Sequence, residues 1–210
     1  MKDFSIAMAL ADFVPVIFFA VAAVILQRDL YNKMSKGAFA LFAAGTIDVI
    51  FAGALKALYK LLYAAHICDF EPLSTMFFPV QSIGFMLAGV GVLAVLCHKQ
   101  KETRAYAAVP PLFTGTFIFV ALMVAGLGLT DVGLCVMSAK LKKHLLIALF
   151  AVSFVCSLGM GYLSSKDFAE AAMNWIAEGV NIVGQGTFLA GTVLLHRAGL
   201  SSLELESGKA

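Results

Sequence analysis

The chain has 210 residues, of which 61% are hydrophobic and only 13% charged, and its net charge is +2. A soluble globular domain carries about 25% charged residues, so the composition excludes an ordinary soluble domain. The small net charge leaves no basic arm for nucleic acid. The charges fall in short clusters between long apolar runs, which is the pattern of a helical membrane protein.

A membrane-crossing helix takes about 20 apolar residues, and six runs reach that length. The first, residues 6–26, stops at Gln27, Arg28 and Asp29. No cleavage-site pattern follows Lys2, so this run is expected to persist as a helix. The second, 38–65, carries Lys56, Tyr59, Lys60 and Tyr63 in its later half, where they are positioned to snorkel toward an interface. Lys56 could also serve as partner to a carboxylate on another helix. The third run is 75–96. The fourth, 106–129, opens with Pro110 and Pro111, whose missing N–H groups cost least in a first turn. Residues 131–139 are apolar but short and read as an interfacial piece or loop. The fifth run is 145–163 and the sixth 172–195. Residues 201–210 are small and polar and read as a disordered tail.

The predicted fold is therefore an all-α membrane protein, one bundle of six transmembrane helices over residues 1–200. Outer-membrane strands would alternate apolar and polar residues over about 10 positions, and these runs are apolar on every face for longer than that. With strictly alternating crossings, Lys and Arg divide almost evenly between the two sides, so the positive-inside rule gives no orientation. Both termini are expected in the cytoplasm, and the membrane is expected to be the cytoplasmic (inner) membrane of a prokaryote. One internal echo, G-x-x-L-A-G, occurs at Gly84–Gly89 and Gly186–Gly191. It is consistent with a weak 3+3 repeat, of inverted topology if six crossings alternate.

The sixth run carries the strongest functional signal. At 100° per residue, Asn174, Glu178, Asn181, Gln185 and Thr192 fall near one line, with His196 at its end. Polar groups in hydrocarbon are costly and turn toward the bundle interior or a wet cavity. Amides alone can serve as interhelical glue, worth roughly 0.6–2 kcal/mol each. A carboxylate is poor glue, so Glu178 favours a binding role. Glu178, Asn181 and Gln185, with Gln81 on the third helix, are the expected substrate contacts. Asp48, about 18 Å into the second helix, is the expected proton or ion relay together with Glu178. Asp12 is placed near the start of the first helix, either interfacial or interhelical.

His66, His144 and His196 all fall at helix ends on one side under alternating crossings. They are weak candidates for a metal or haem, with no H-x-x-x-H or H-E-x-x-H spacing behind them. The four cysteines form no C-x-x-C pair. No phosphate-binding loop or nucleophile elbow occurs, so no cofactor is expected and a self-powered ATPase is excluded.

The leading expectation is a small membrane carrier or solute-binding membrane subunit. Its polar cavity would be lined by helices 2, 3 and 6 and coupled to protons. Its partners would be the lipid bilayer, a small polar solute or ion, and a second copy or a partner membrane subunit, with no nucleic acid. Two alternatives use the same residues. One is an intramembrane enzyme acting on a lipid through the Asp48/Glu178 pair. The other is an accessory subunit with no ligand.

Overall fold

The computed structural model describes residues 5–97, 116–163 and 171–204, and these form an all-α bundle. The chain opens with α1 (Ile6–Ala11), capped by Ser5, whose hydroxyl accepts from the Met8 N–H at 3.2 Å. The helix is interrupted at Asp12 and resumes as α2 (Phe13–Leu30). The break has a covalent cause. Pro15 offers no N–H to the Ala11 carbonyl four residues back, and its ring crowds that carbonyl.

A second capped helix, α3 (Lys36–Ala64), starts at Ser35 in the same way, the Ala38 N–H donating to its hydroxyl at 3.2 Å. A short turn, α4 (Pro72–Thr75), leads into α5 (Phe77–Cys97). The interruption at Met76 again precedes a proline, Pro79, by three residues. The remaining helices are α6 (Thr116–Lys140), α7 (His144–Leu163) and α8 (Ala171–Arg197), followed by a 3-10 turn at Leu200–Ser202.

Four segments among the described residues are long and apolar enough to cross a membrane: Ile6–Lys33, Lys36–Ala64, Pro72–Cys97 and Ile118–Lys140. The apolar stretch of α7, His144–Met160, is shorter. α8 has 27 residues, about 40 Å of helix, and its polar row lowers its apolar content. The fold class expected from the sequence, an all-α bundle with helices fit to cross a membrane, holds.

Three expectations change. The fourth helix does not end before Asp131: it runs unbroken to Lys140, so 131–139 is helix and not an interfacial loop. Gly126, Asp131 and Gly133 lie on its packed side and seat it against its neighbours. Residues 106–115, including Pro110 and Pro111, lie outside the described residues. The tail reading fails for 201–204, because Leu200 is fully buried and Lys33 Nζ donates to the Leu203 carbonyl, tying this segment to the end of α2. Residues 205–210 lie outside the described residues.

The third change concerns direction. Gly126 packs on the backbone of Phe85 and Met86, and Gly133 packs on Val92. Contacts therefore advance together along α5 and α6, which run parallel. Likewise α8 runs parallel to α2: Gly186 meets Phe18, and His196 meets Asp29. The helices form two triplets, α2–α3–α5 and α6–α7–α8, each running up, down and up. The repeat-like halves have the same direction, contrary to the inverted arrangement expected from alternating crossings. The last helix of each triplet packs on the first of the other, α5 on α6 and α8 on α2. One end of the bundle, the near end, holds the starts of α1, α5, α6 and α8. The far end holds Leu30, Lys36, Lys140 and Arg197. Ser5 and Leu203 thus sit at opposite ends, so the two ends of the described chain do not share a side.

Glycine sets the closeness of these contacts. A Cβ on Gly45 would collide with the Gly84 carbonyl and the Ala88 amide, and one on Gly126 would collide with the Phe85–Met86 peptide. These positions let α3, α5 and α6 touch backbone to backbone. Gly126→Ala is expected to lower stability by about 1–3 kcal/mol through forced separation of α5 and α6. Gly179→Ala meets nothing within 4 Å and should be neutral or stabilising by up to about 1 kcal/mol. Thermal unfolding in detergent measures both, and equal effects would contradict the packing described.

Candidate functional site

Between the triplets, in the near half of the bundle, lies a partly open cavity of about 420 Å³. That volume falls within the range of small-molecule sites, about 300–1,000 Å³. Its floor is aromatic. Phe19 stacks on Phe188 with ring centroids 5.8 Å apart and meets Phe85 edge-on at 5.8 Å, while Phe150 meets Phe188 edge-on at 5.9 Å. Below this floor the far half is filled by apolar side chains, among them Leu26, Leu30, Leu134, Met137 and Leu195, all at most 1% exposed.

The polar row of α8 forms one wall. Asn174, Glu178, Asn181 and Gln185 all line the cavity, and Gln81 of α5 faces it from another side. Further along α8, Thr192 is buried beneath the floor and His196 reaches the far end. The wall includes helices beyond the expected 2, 3 and 6. Asp12, at the α1–α2 break, projects into it, as do Lys56 and Lys60 from α3 and Ser157 from α7.

The charges are organised in pairs. Lys60 Nζ lies 2.5 Å from Asp12 Oδ2, with both side chains largely buried. The Asp12 and Glu178 carboxyl groups lie within hydrogen-bonding reach of each other. Asp12 Oδ1 and Glu178 Oε1 are both buried with no donor among the described residues. Two carboxyl oxygens that face one another can bond only if one of them holds a proton and donates it. Lys56 Nζ sits 4.0 Å from the centre of the Phe77 ring, a cation–π contact. It lies near enough to Asp12 and Glu178 for their charges to interact, but no carboxylate among the described residues is within ion-pair distance of it. Lys56 is thus a cavity residue in the neighbourhood of two acids, and the alternative of a lipid-facing, snorkelling side chain does not describe it.

Asp48 stands apart. It is half-buried at the α3–α5 contact, its Cβ beside Gly84, and it is not on the cavity wall. The structure therefore brings Glu178, Asn181, Gln185 and Gln81 together and leaves Asp48 out. The histidines are not brought together either. His66 follows α3 at the near end, while His144 and His196 are at the far end. Among the described residues no three His, Cys, Asp or Glu side chains converge as a metal site.

Two acids escaped the sequence reading. Asp131, 4% exposed, is buried in α6 beside a much smaller void of about 10 Å³, room for about one water. Thr46, Thr130, Ser153 and Gln185 line the same void, and Asp131 Oδ1 has no donor among the described residues. Asp29, 3% exposed, closes the far end. Its two oxygens lie 2.9 and 2.8 Å from His196 Nδ1, joining the first helix of one triplet to the last of the other.

The Asp29–His196 contact gives a direct test of the far-end seam. Asp29→Asn and His196→Gln, alone and combined, should show a coupling of roughly 0.5–3 kcal/mol in a double-mutant cycle, read from unfolding in detergent. Strict additivity would mean that the pair does not hold the triplets together. In comparisons with known proteins, no family model, no curated protein and no solved structure matches this chain.

Proposed function

We propose that this chain is a small multi-pass membrane carrier, or the solute-binding membrane subunit of one, working in the cytoplasmic membrane of a prokaryote. The observation that carries the reading is the cavity itself. A bundle built of helices fit to cross a membrane encloses about 420 Å³ walled by two acids, two lysines and several amides. Ionisable groups inside such a bundle are expensive, and an ion or solute path is their usual reason for being there. The arrangement of the halves adds support. Parallel repeats related by an axis along the membrane normal are one of the two repeat types of secondary transporters, with the solute held at their interface.

Proton coupling is assigned to Asp12 and Glu178, the two carboxyls that can share a proton, in place of Asp48. An acid–base enzyme using Asp48 with Glu178 has no common cavity to work in. A ligand-free accessory subunit would leave the cavity and its donorless oxygens without a purpose.

Orientation follows from the far-end charges. Arg28, Lys33, Lys36, Lys140, Lys142, Lys143 and Arg197 lie there, whereas the near end contributes Lys56 and Lys60, both on the cavity wall, among the described residues. The positive-inside rule then puts the far end in the cytoplasm and the cavity toward the opposite face.

Two experiments test these statements. In proteoliposomes holding a pH-sensitive dye, a panel of amino acids, sugars, nucleosides and small anions is added outside. At least one solute should accumulate or change the internal pH. Asp12→Asn and Glu178→Gln should abolish that response, and Asp48→Asn should retain it. A panel in which nothing moves and nothing stabilises the purified protein sinks the carrier reading. Separately, a fluorescent protein fused to the C-terminus should fold and fluoresce in cells. A periplasmic reporter that is active there would reverse the orientation.

A further inference from the structure

The cavity's charges describe what it can hold, on the reading that it is a solute site. Among the described residues four acidic or basic side chains line it, Asp12, Glu178, Lys56 and Lys60, and Tyr59 of α3 joins them with its hydroxyl committed to Asp69 Oδ1 at 3.0 Å. Among the described residues, the α4, α5, α6 and α7 contributions to the wall carry no ionisable side chain. Lys60 is committed to Asp12 Oδ2. What faces the space on one side is a set of acceptors without donors among the described residues: Asp12 Oδ1, Glu178 Oε1 and Gln185 Oε1. On another side is Lys56, an ammonium with no carboxylate within ion-pair distance among the described residues, held against the Phe77 ring.

A simple cation would satisfy the acceptors and be repelled by Lys56. A simple anion would satisfy Lys56 and meet two carboxyl groups. Either would leave one of the two sides without its partner, and a buried polar or charged group without a partner is heavily penalised. A ligand with both poles satisfies both sides and adds no net charge. The rest of the wall is apolar and aromatic, with Phe19, Phe77, Phe85, Met123 and Leu127 positioned to receive a hydrocarbon side chain. We propose that the cavity binds a zwitterionic amino acid with an apolar side chain. Its ammonium donates to Asp12 and Glu178, and its carboxylate accepts from Lys56.

This geometry links binding to a proton. Without ligand, the facing carboxyls of Asp12 and Glu178 bond by sharing one proton. The arriving ammonium donates to both oxygens and removes the need for it. The occupied site holds one proton fewer than the empty one, so binding releases a proton and strengthens as pH rises. The limit is about tenfold per pH unit wherever the empty pair holds its proton.

The test uses the full chain in lipid nanodiscs and isothermal titration at two pH values and in buffers of different ionisation enthalpy. The probes are leucine, phenylalanine, leucinamide, which lacks the carboxylate, and 4-methylpentanoate, which lacks the ammonium. Leucine or phenylalanine should bind at least about 30-fold tighter than either one-pole analogue, the loss expected when a buried charge is left without its partner. One proton should be released per ligand bound.

K56Q should remove the preference over leucinamide, and E178Q the preference over 4-methylpentanoate, while K56R keeps the first. Should the variants fail to fold, the analogue series on the unaltered protein still decides. Leucinamide or 4-methylpentanoate binding as tightly as leucine overturns the proposal, as does binding by none of the apolar amino acids. A sugar or nucleoside bound in their place, and lost in E178Q, overturns this inference and leaves the carrier reading intact. An amino acid that binds but never moves across proteoliposomes upholds this inference and, of the two forms of the carrier reading, removes the self-sufficient carrier and leaves the solute-binding subunit.

Discussion

Asp12, Glu178, Lys56 and Lys60 sit inside a bundle whose other surfaces are fit for hydrocarbon, and that burial of charge is the constraint on which the rest of the architecture depends. A carboxylate removed from water needs a cation, a donor or a proton. Lys60 supplies the first for one oxygen of Asp12. The Glu178 carboxyl lies within hydrogen-bonding reach of Asp12 as well. These contacts require the start of α8 to lie beside the start of α2, and hence both helices to run the same way. The parallel triplets and the cavity are one solution to that requirement.

Much of the fold was readable from apolar run lengths alone, because hydrocarbon imposes helices of a given length. α3, α5, α7 and α8 each fall on one of the apolar runs read from sequence. Two things were not readable. The end of the fourth helix was placed eleven residues too early, because Val132–Ser138 is apolar and short and nothing in its composition says whether it continues the helix or lies at the interface. Its packing does: Gly126 and Gly133 must both face α5. The shift also hid Asp131, which looked like a helix end and is instead a buried side chain midway along α6. The direction of α6 was invisible for a related reason. Apolar runs carry no arrow, and alternation was assumed because consecutive crossings usually alternate.

The site shows the same division. Glu178, Asn181 and Gln185 were found from one helix's own periodicity, since side chains four positions apart share a face. Lys56, Lys60 and Asp12 belong to other helices, and their relation to that face exists only after packing. Asp48 was favoured for its depth in the membrane. Depth is a property of one helix, however, and rotation about its axis decides whether a side chain meets the cavity. Asp48 is turned toward Gly84, and Gly53, Lys56 and Lys60 are turned inward. A signal for Asp12 did exist: an acid three residues before Pro15 marks a place where the helix breaks and a polar side chain can leave the helical face.

The two seams between the triplets are alike in position and different in construction. Where α5 meets α6, glycines bring backbone against backbone, and neither helix can slide or turn without a collision. Where α2 meets α8, Gly186 packs on the Phe18 ring, and the Phe19–Phe188 rings and the Asp29–His196 pair bridge the two helices. A side chain can change rotamer where a peptide cannot yield, so the α5–α6 seam is the stiffer of the two, and the more adaptable seam, α2–α8, is the one that carries acids of the cavity.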